Sequence, residues 1–70
     1  MEEIFIKDEF IKLGQALKLA GLAGSGVDAK FMIEDGIVTV NGEVELRRGR
    51  KLRPGDVIGL DDAQVKVSSV

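Results

Sequence analysis

The ten residues Ile37-Val38-Thr39-Val40-Asn41-Gly42-Glu43-Val44-Glu45-Leu46 restrict the possible folds of this chain more than any other stretch. The first four are rich in β-branched side chains, the last four alternate polar with apolar, and Asn-Gly stands between them. Both turn residues accept the positive φ of a type I′ turn, so a β-hairpin is predicted over 37–46. An isolated hairpin is marginal in water. The remaining residues must therefore supply the surface on which it packs.

Upstream, Phe10, Leu13, Leu17 and Ala20 recur at spacings of three and four, which predicts a helix from Phe10 that Gly21 is placed to end. The segment Gly21-Leu22-Ala23-Gly24-Ser25-Gly26 cannot continue a helix cheaply. Ser25 followed three residues later by Asp28 resembles a capping box with Asp in the usual Glu place. It predicts a second helix to about Asp35, with Gly36 as its C-terminal cap. Ile4-Phe5-Ile6 suits a strand at a sheet edge. Arg53-Pro54-Gly55-Asp56 reads as a turn, Val57-Ile58-Gly59-Leu60 as a strand, Asp61-Asp62 as a turn and Gln64 to Val67 as a last strand. Helices and strands segregated in this way predict an α+β fold, two helices packed on a mostly antiparallel sheet with a central β-hairpin.

A chain of 70 residues has room for one domain, 1–70, and buries roughly 60% of its unfolded surface. It contains no cysteine and no histidine, which removes disulfides, thiolate ligands and the commonest general base. Ser25 has no partner base, so helix capping suffices as its role. Asp56, Asp61 and Asp62 lack the alternating spacing of a calcium loop. Gly21, Gly24 and Gly26 match neither dinucleotide-binding nor Walker A patterns. No catalysis, metal or cofactor is expected. No stretch approaches the roughly 20 apolar residues of a membrane span, and the acidic Met1-Glu2-Glu3 lacks the positive region of a signal peptide. The expectation is a soluble, cytoplasmic monomer without a membrane partner.

The charges are unevenly distributed. Residues 1–46 carry four Lys against nine acids, or -5; residues 47–53 carry Arg47, Arg48, Arg50, Lys51 and Arg53 without an acid, or +5; Lys66 against Asp56, Asp61 and Asp62 leaves -2. A polyanion responds to local potential, so this run is the leading candidate site. Arg forks onto phosphate and stacks on unpaired bases, and Gly49 lets backbone approach a ligand. The plainer alternative is a solvated loop whose charges pair with the surplus acids elsewhere. With three Phe and no Trp or Tyr, recognition of backbone and shape fits better than an aromatic stacking platform.

From Leu13 to Ile58 the chain resembles the S4-like RNA-binding domain, the two-helix and hairpin module of ribosomal protein S4, pseudouridine synthases, heat-shock protein 15 and tyrosyl-tRNA synthetases. The resemblance is carried by Leu13, Leu17-Lys18, Gly21-Leu22-Ala23, Ser25, Ala29-Lys30, Ile33, Gly36-Ile37-Val38-Thr39-Val40-Asn41-Gly42 and Pro54-Gly55-Asp56-Val57-Ile58. With the initial strand and Arg47 to Leu52, the chain looks like the small stand-alone bacterial proteins of the YbcJ/YaaA type. The resemblance implies a non-catalytic protein that binds structured RNA, ribosomal or transfer RNA, on a basic face. It places Lys12, Lys18, Ser25 and Lys30 on that face, and Arg47, Arg48, Arg50, Lys51 and Arg53 would extend it. The family often has Arg directly after the loop Ser, whereas Gly26 stands here, which shifts the expected weight of binding toward the arginines.

A second class of function fits the same element order. Small β-grasp sulfur carriers share Val-Asn-Gly and Pro-Gly-Asp-like segments, but their chemistry needs a C-terminal Gly-Gly, and Ser68-Ser69-Val70 stands here. What remains of that alternative is a protein-protein interaction adaptor of β-grasp-like architecture that binds no RNA.

Overall fold

The computed structural model describes residues 1–70. In chain order the elements are β1 (Glu2–Ile6), β2 (Ile11–Lys12), α1 (Leu13–Leu19), α2 (Gly26–Glu34), β3 (Val38–Val40), β4 (Glu43–Val44), β5 (Lys51–Leu52), β6 (Val57–Leu60) and β7 (Ala63–Ser69). Five strands form one sheet in the order β1-β7-β6-β3-β4, and β2 pairs with β5 in a separate ladder. Only β1 and β7 run parallel, with Glu2 opposite Val65 and Ile6 opposite Ser69; the other pairs are antiparallel. The hairpin that is central in the sequence closes one end of the sheet, with β4 outermost.

Alternate strand residues Ile4, Ile6, Val38, Val40, Ile58, Leu60, Val65 and Val67 are buried on one face of the sheet. They form a single core with Leu13, Ala16 and Leu17 of α1 and Ala29 and Ile33 of α2. The period of two in the strands meets the period of three to four in the helices, and neither pattern could be buried alone. Asn41 and Gly42 take φ of 53° and 87°, as the type I′ turn requires. Asn41 also ties the turn to β6: its side-chain oxygen accepts from the Val57 amide at 2.9 Å, and its side-chain nitrogen donates to Asp56 at 3.0 Å.

One sequence expectation changes, and two features come from the structure alone. The first helix begins at Leu13, not Phe10, because Ile11 and Lys12 are drawn into a ladder with Leu52 and Lys51. The second half of the hairpin turns its apolar residues outward: Val44 and Leu46 are 58% and 60% exposed, while Glu45 between them is 7% exposed. Finally, the basic run is more than a solvated loop. Lys51 and Leu52 are strand, and Leu52 is a fully buried member of the core.

Candidate nucleic-acid interface

Backbone hydrogen bonds place the basic run against the start of α1. The Leu13 amide donates to the Arg50 carbonyl at 2.8 Å and the Gly14 amide to the Arg48 carbonyl at 3.1 Å. Both amides belong to the first helical turn, where no intrahelical acceptor exists, and no side chain caps this helix. The loop therefore serves as the cap. Gly14 permits the close approach, since a Cβ there would lie 2.8 Å from Arg48 Cγ. The Arg48 side chain thus lies over the helix surface.

The result is an open polar cleft of about 340 Å³ whose cations are Lys12, Lys18 and Arg48. Gly14, Gly26, Gly49 and Gln15 complete its lining, and none of the lining residues is acidic or hydrophobic. Such a surface has the composition of a phosphate site, because three positive groups converge without a carboxylate to neutralise them. A second open cleft, about 500 Å³, is lined by Arg47, Gly49, Arg50 and Lys51. Gly49 lines both, so the two are neighbours along the loop.

Glu45 lies beneath this second cleft and engages two of the arginines. Arg47 donates to it from Nε and Nη2 at 3.1 Å each and from its backbone amide at 3.0 Å; Arg50 Nη1 donates at 2.9 Å. Hydrogen bonds from the Arg47 side chain, then from Arg50, and then from the Arg47 amide outweigh burial and lower the Glu45 pKa from 4.5 to about 2. The run of five cations therefore has an internal counter-charge, which leaves Arg47 and Arg50 partly committed to structure. Lys51 Nζ lies 4.8 Å from the Phe10 ring centroid and the Arg53 guanidinium carbon 5.8 Å from it, so both cations rest on an aromatic surface. Burial opposes ionisation of Asp56, but the Arg53 amide, the Asn41 side chain and the charges of Arg50 and Arg53 outweigh it and lower the pKa.

The structure therefore brings Lys12, Lys18 and Arg48 into one cleft and Arg47, Arg50 and Lys51 into its neighbour. Ser25, Lys30 and Arg53 line neither. Ser25 caps α2, its hydroxyl oxygen accepting from the Asp28 amide at 3.1 Å, and its neighbour Gly26 reaches the cleft. Lys30 is exposed on α2. Sequence reasoning missed Gly14, Gln15, Phe10 and Glu45. A glycine inside a helical pattern is a signal of close approach and could have identified Gly14.

A family model described as the S4 domain matches residues 4–68. The Bacillus subtilis (strain 168) protein named "Probable ribosome maturation protein RlbA" is 48% identical over 58 residues, covering 83% of this chain and 82% of that protein. YbcJ of Escherichia coli (strain K12) is 36% identical over 61 residues, 87% of each chain. The solution structure of Escherichia coli YbcJ, described as revealing an "alfaL" motif involved in RNA-binding, superposes with a TM-score of 0.74 at 33% sequence identity. That superposition covers 97% of this chain and 87% of the other.

Proposed function

The chain belongs to the S4 domain family, and from that premise we propose that it is a non-catalytic RNA-binding protein. Its ligand is structured RNA, ribosomal or transfer RNA, and the phosphates bind along the clefts beside α1. The observation that carries this reading is the convergence of Lys12, Lys18 and Arg48, from two separate segments, on a cleft with no acid in its lining. The names and descriptions of the similar proteins, one a ribosome maturation protein and one with a motif involved in RNA-binding, support the choice of RNA. Within the clefts Arg48 and the two lysines are the main phosphate ligands, Lys51 extends the track, and Arg47 and Arg50 contribute while anchored to Glu45. Ser25, Lys30 and Arg53 have a secondary place at the margin.

Salt titration of a structured RNA with loops or bulges tests this. If about four cations meet phosphates, log K falls against log salt with a slope of about -3 to -4. Arg48→Ala should reduce that slope by about one unit and weaken binding, while Glu2→Gln, on a strand at the far sheet edge, should change neither by much. No measurable RNA binding at low salt would instead favour the protein-binding adaptor, whose apolar interface with a protein partner would respond little to ionic strength.

A further inference from the structure

Beside the cation cleft lies a depression of different chemistry, about 430 Å³ in volume. Its apolar walls are Ile6, Phe10, Ile11 and Leu19, and its polar margin includes Gln15 and Lys18. Those last two residues also line the cation cleft, so the two spaces adjoin along α1. Leu19 is 56% exposed and lies outside the core. Phe10 is half-buried and is the ring on which Lys51 and Arg53 rest. An apolar recess of this size suits a small ring system. The Gln15 amide offers a donor and an acceptor at its margin, and Lys7 and Lys18 outnumber the one carboxylate there, Asp8, so the margin keeps a net positive charge on its Lys18 side toward the cation cleft.

A ligand that matches all three properties has a flat apolar face, a polar edge and a phosphate tether. An unpaired nucleobase of RNA is such a group, because bases outside a helix are bound by stacking and edge hydrogen bonds while their phosphates remain accessible. We infer that this depression receives one unpaired nucleobase of an RNA whose phosphates occupy the adjoining cation cleft. The inference rests on the RNA reading above and sharpens it: the preferred RNA carries a bulged or looped-out nucleotide next to a stem. Phe10 and Leu19 form the stacking walls, and Gln15 bridges base and backbone. A single recess of this kind does not require the row of aromatic residues that a single-strand platform uses.

Two RNA hairpins separate this inference from the broader reading. One carries a single bulged adenosine, and the other has the same stem with an abasic ribose at the bulge. At low salt the protein should bind the adenosine form about 5- to 100-fold more tightly, the range that stacking one base provides. Leu19→Ser should remove most of that preference while leaving abasic binding and the salt slope unchanged. Phe10→Leu should reduce it as well, with some loss of abasic binding because Lys51 and Arg53 rest on that ring. If Phe10→Leu unfolds, the exposed Leu19 position still carries the test. Equal affinity for the two RNAs with a steep salt slope would overturn the base site and leave the cation cleft standing. A Leu19→Ser variant that weakens both complexes equally would also overturn it. Salt-insensitive or absent binding to both RNAs would overturn the RNA reading and this inference together.

Discussion

At the base of the basic loop, Arg47 and Arg50 converge on the Glu45 carboxylate, whereas at its tip Arg48 shares an open cleft with Lys12 and Lys18 and meets no acid. The two regions lie within six residues and have similar composition. The first uses its charge to hold the loop in shape, and the second leaves its charge available to a ligand. A cation's availability is therefore decided by the nearest carboxylate in space. An anchored base also pre-pays the ordering of the tip, so that less conformational entropy is lost when a phosphate binds.

The comparison is broken most completely by removing what both regions hang from. Leu52 is fully buried immediately after the loop, so Leu52→Ala should cost about 2–5 kcal/mol of stability in urea unfolding. It should also weaken RNA binding in proportion to the loss of loop order. A variant as stable as the parent would show that the loop does not depend on the core.

Glu45→Gln separates the regions. It should destabilise the protein by about 1.5–3 kcal/mol at neutral pH, the scale of hydrogen bonds to a charged group. Because the folded pKa lies below the ordinary value, the unfolded chain takes up the proton first. The Glu45 contribution is thus complete above about pH 4.5 and is lost as pH falls toward about 2. The stability gap between parent and Glu45→Gln should close across that window. Asp56, also lowered, remains in both proteins and should cancel from the difference. A gap constant from neutral pH to pH 2 would contradict the assigned pairing.

Gly14→Ala acts on the other region. Alanine is worth up to about 1 kcal/mol over glycine in a helix interior and less in the first turn, where Gly14 stands, and here its Cβ must displace Arg48. Melting should show little net change, while RNA affinity falls several-fold. A stabilised variant with undiminished affinity would mean that Arg48 need not lie across α1. Arg48→Ala should have the smallest effect on folding, within about 0.5 kcal/mol, although it alters the salt slope directly.

Much of the fold could be read from periodicity. Asn41-Gly42, the Ser25 cap and the buried faces of α1 and α2 all follow from local pattern. Phe10 was misplaced because its spacing to Leu13 satisfies a helix as well as any residue could. What removes it is the pairing of Ile11 with Leu52, a contact forty-one residues away that no local pattern encodes. The burial of Glu45 was not legible for a related reason. Alternation at 43–46 identifies two faces but not which is inward, and the burial of Glu45 depends on arginines that arrive from the following loop. The site was legible as a concentration of charge. Its division into anchored and available cations depended on three-dimensional neighbours, and so did the apolar recess behind Phe10.

The parallel ladder of β1 on β7 joins residues 63 positions apart, Glu2 to Val65. Closing so long a loop costs chain entropy before any rung of the ladder compensates for it. The antiparallel neighbours β3-β4 and β6-β7 are joined by two-residue connections and can assemble earlier. The expectation is that β1 docks after the rate-limiting barrier, so that a trimmed Ile4 side chain speeds unfolding and hardly slows refolding, which the two arms of a chevron plot would separate; equal changes in both arms would contradict it. On that order of assembly, the first strand sets how long the native state survives more than how fast it is reached.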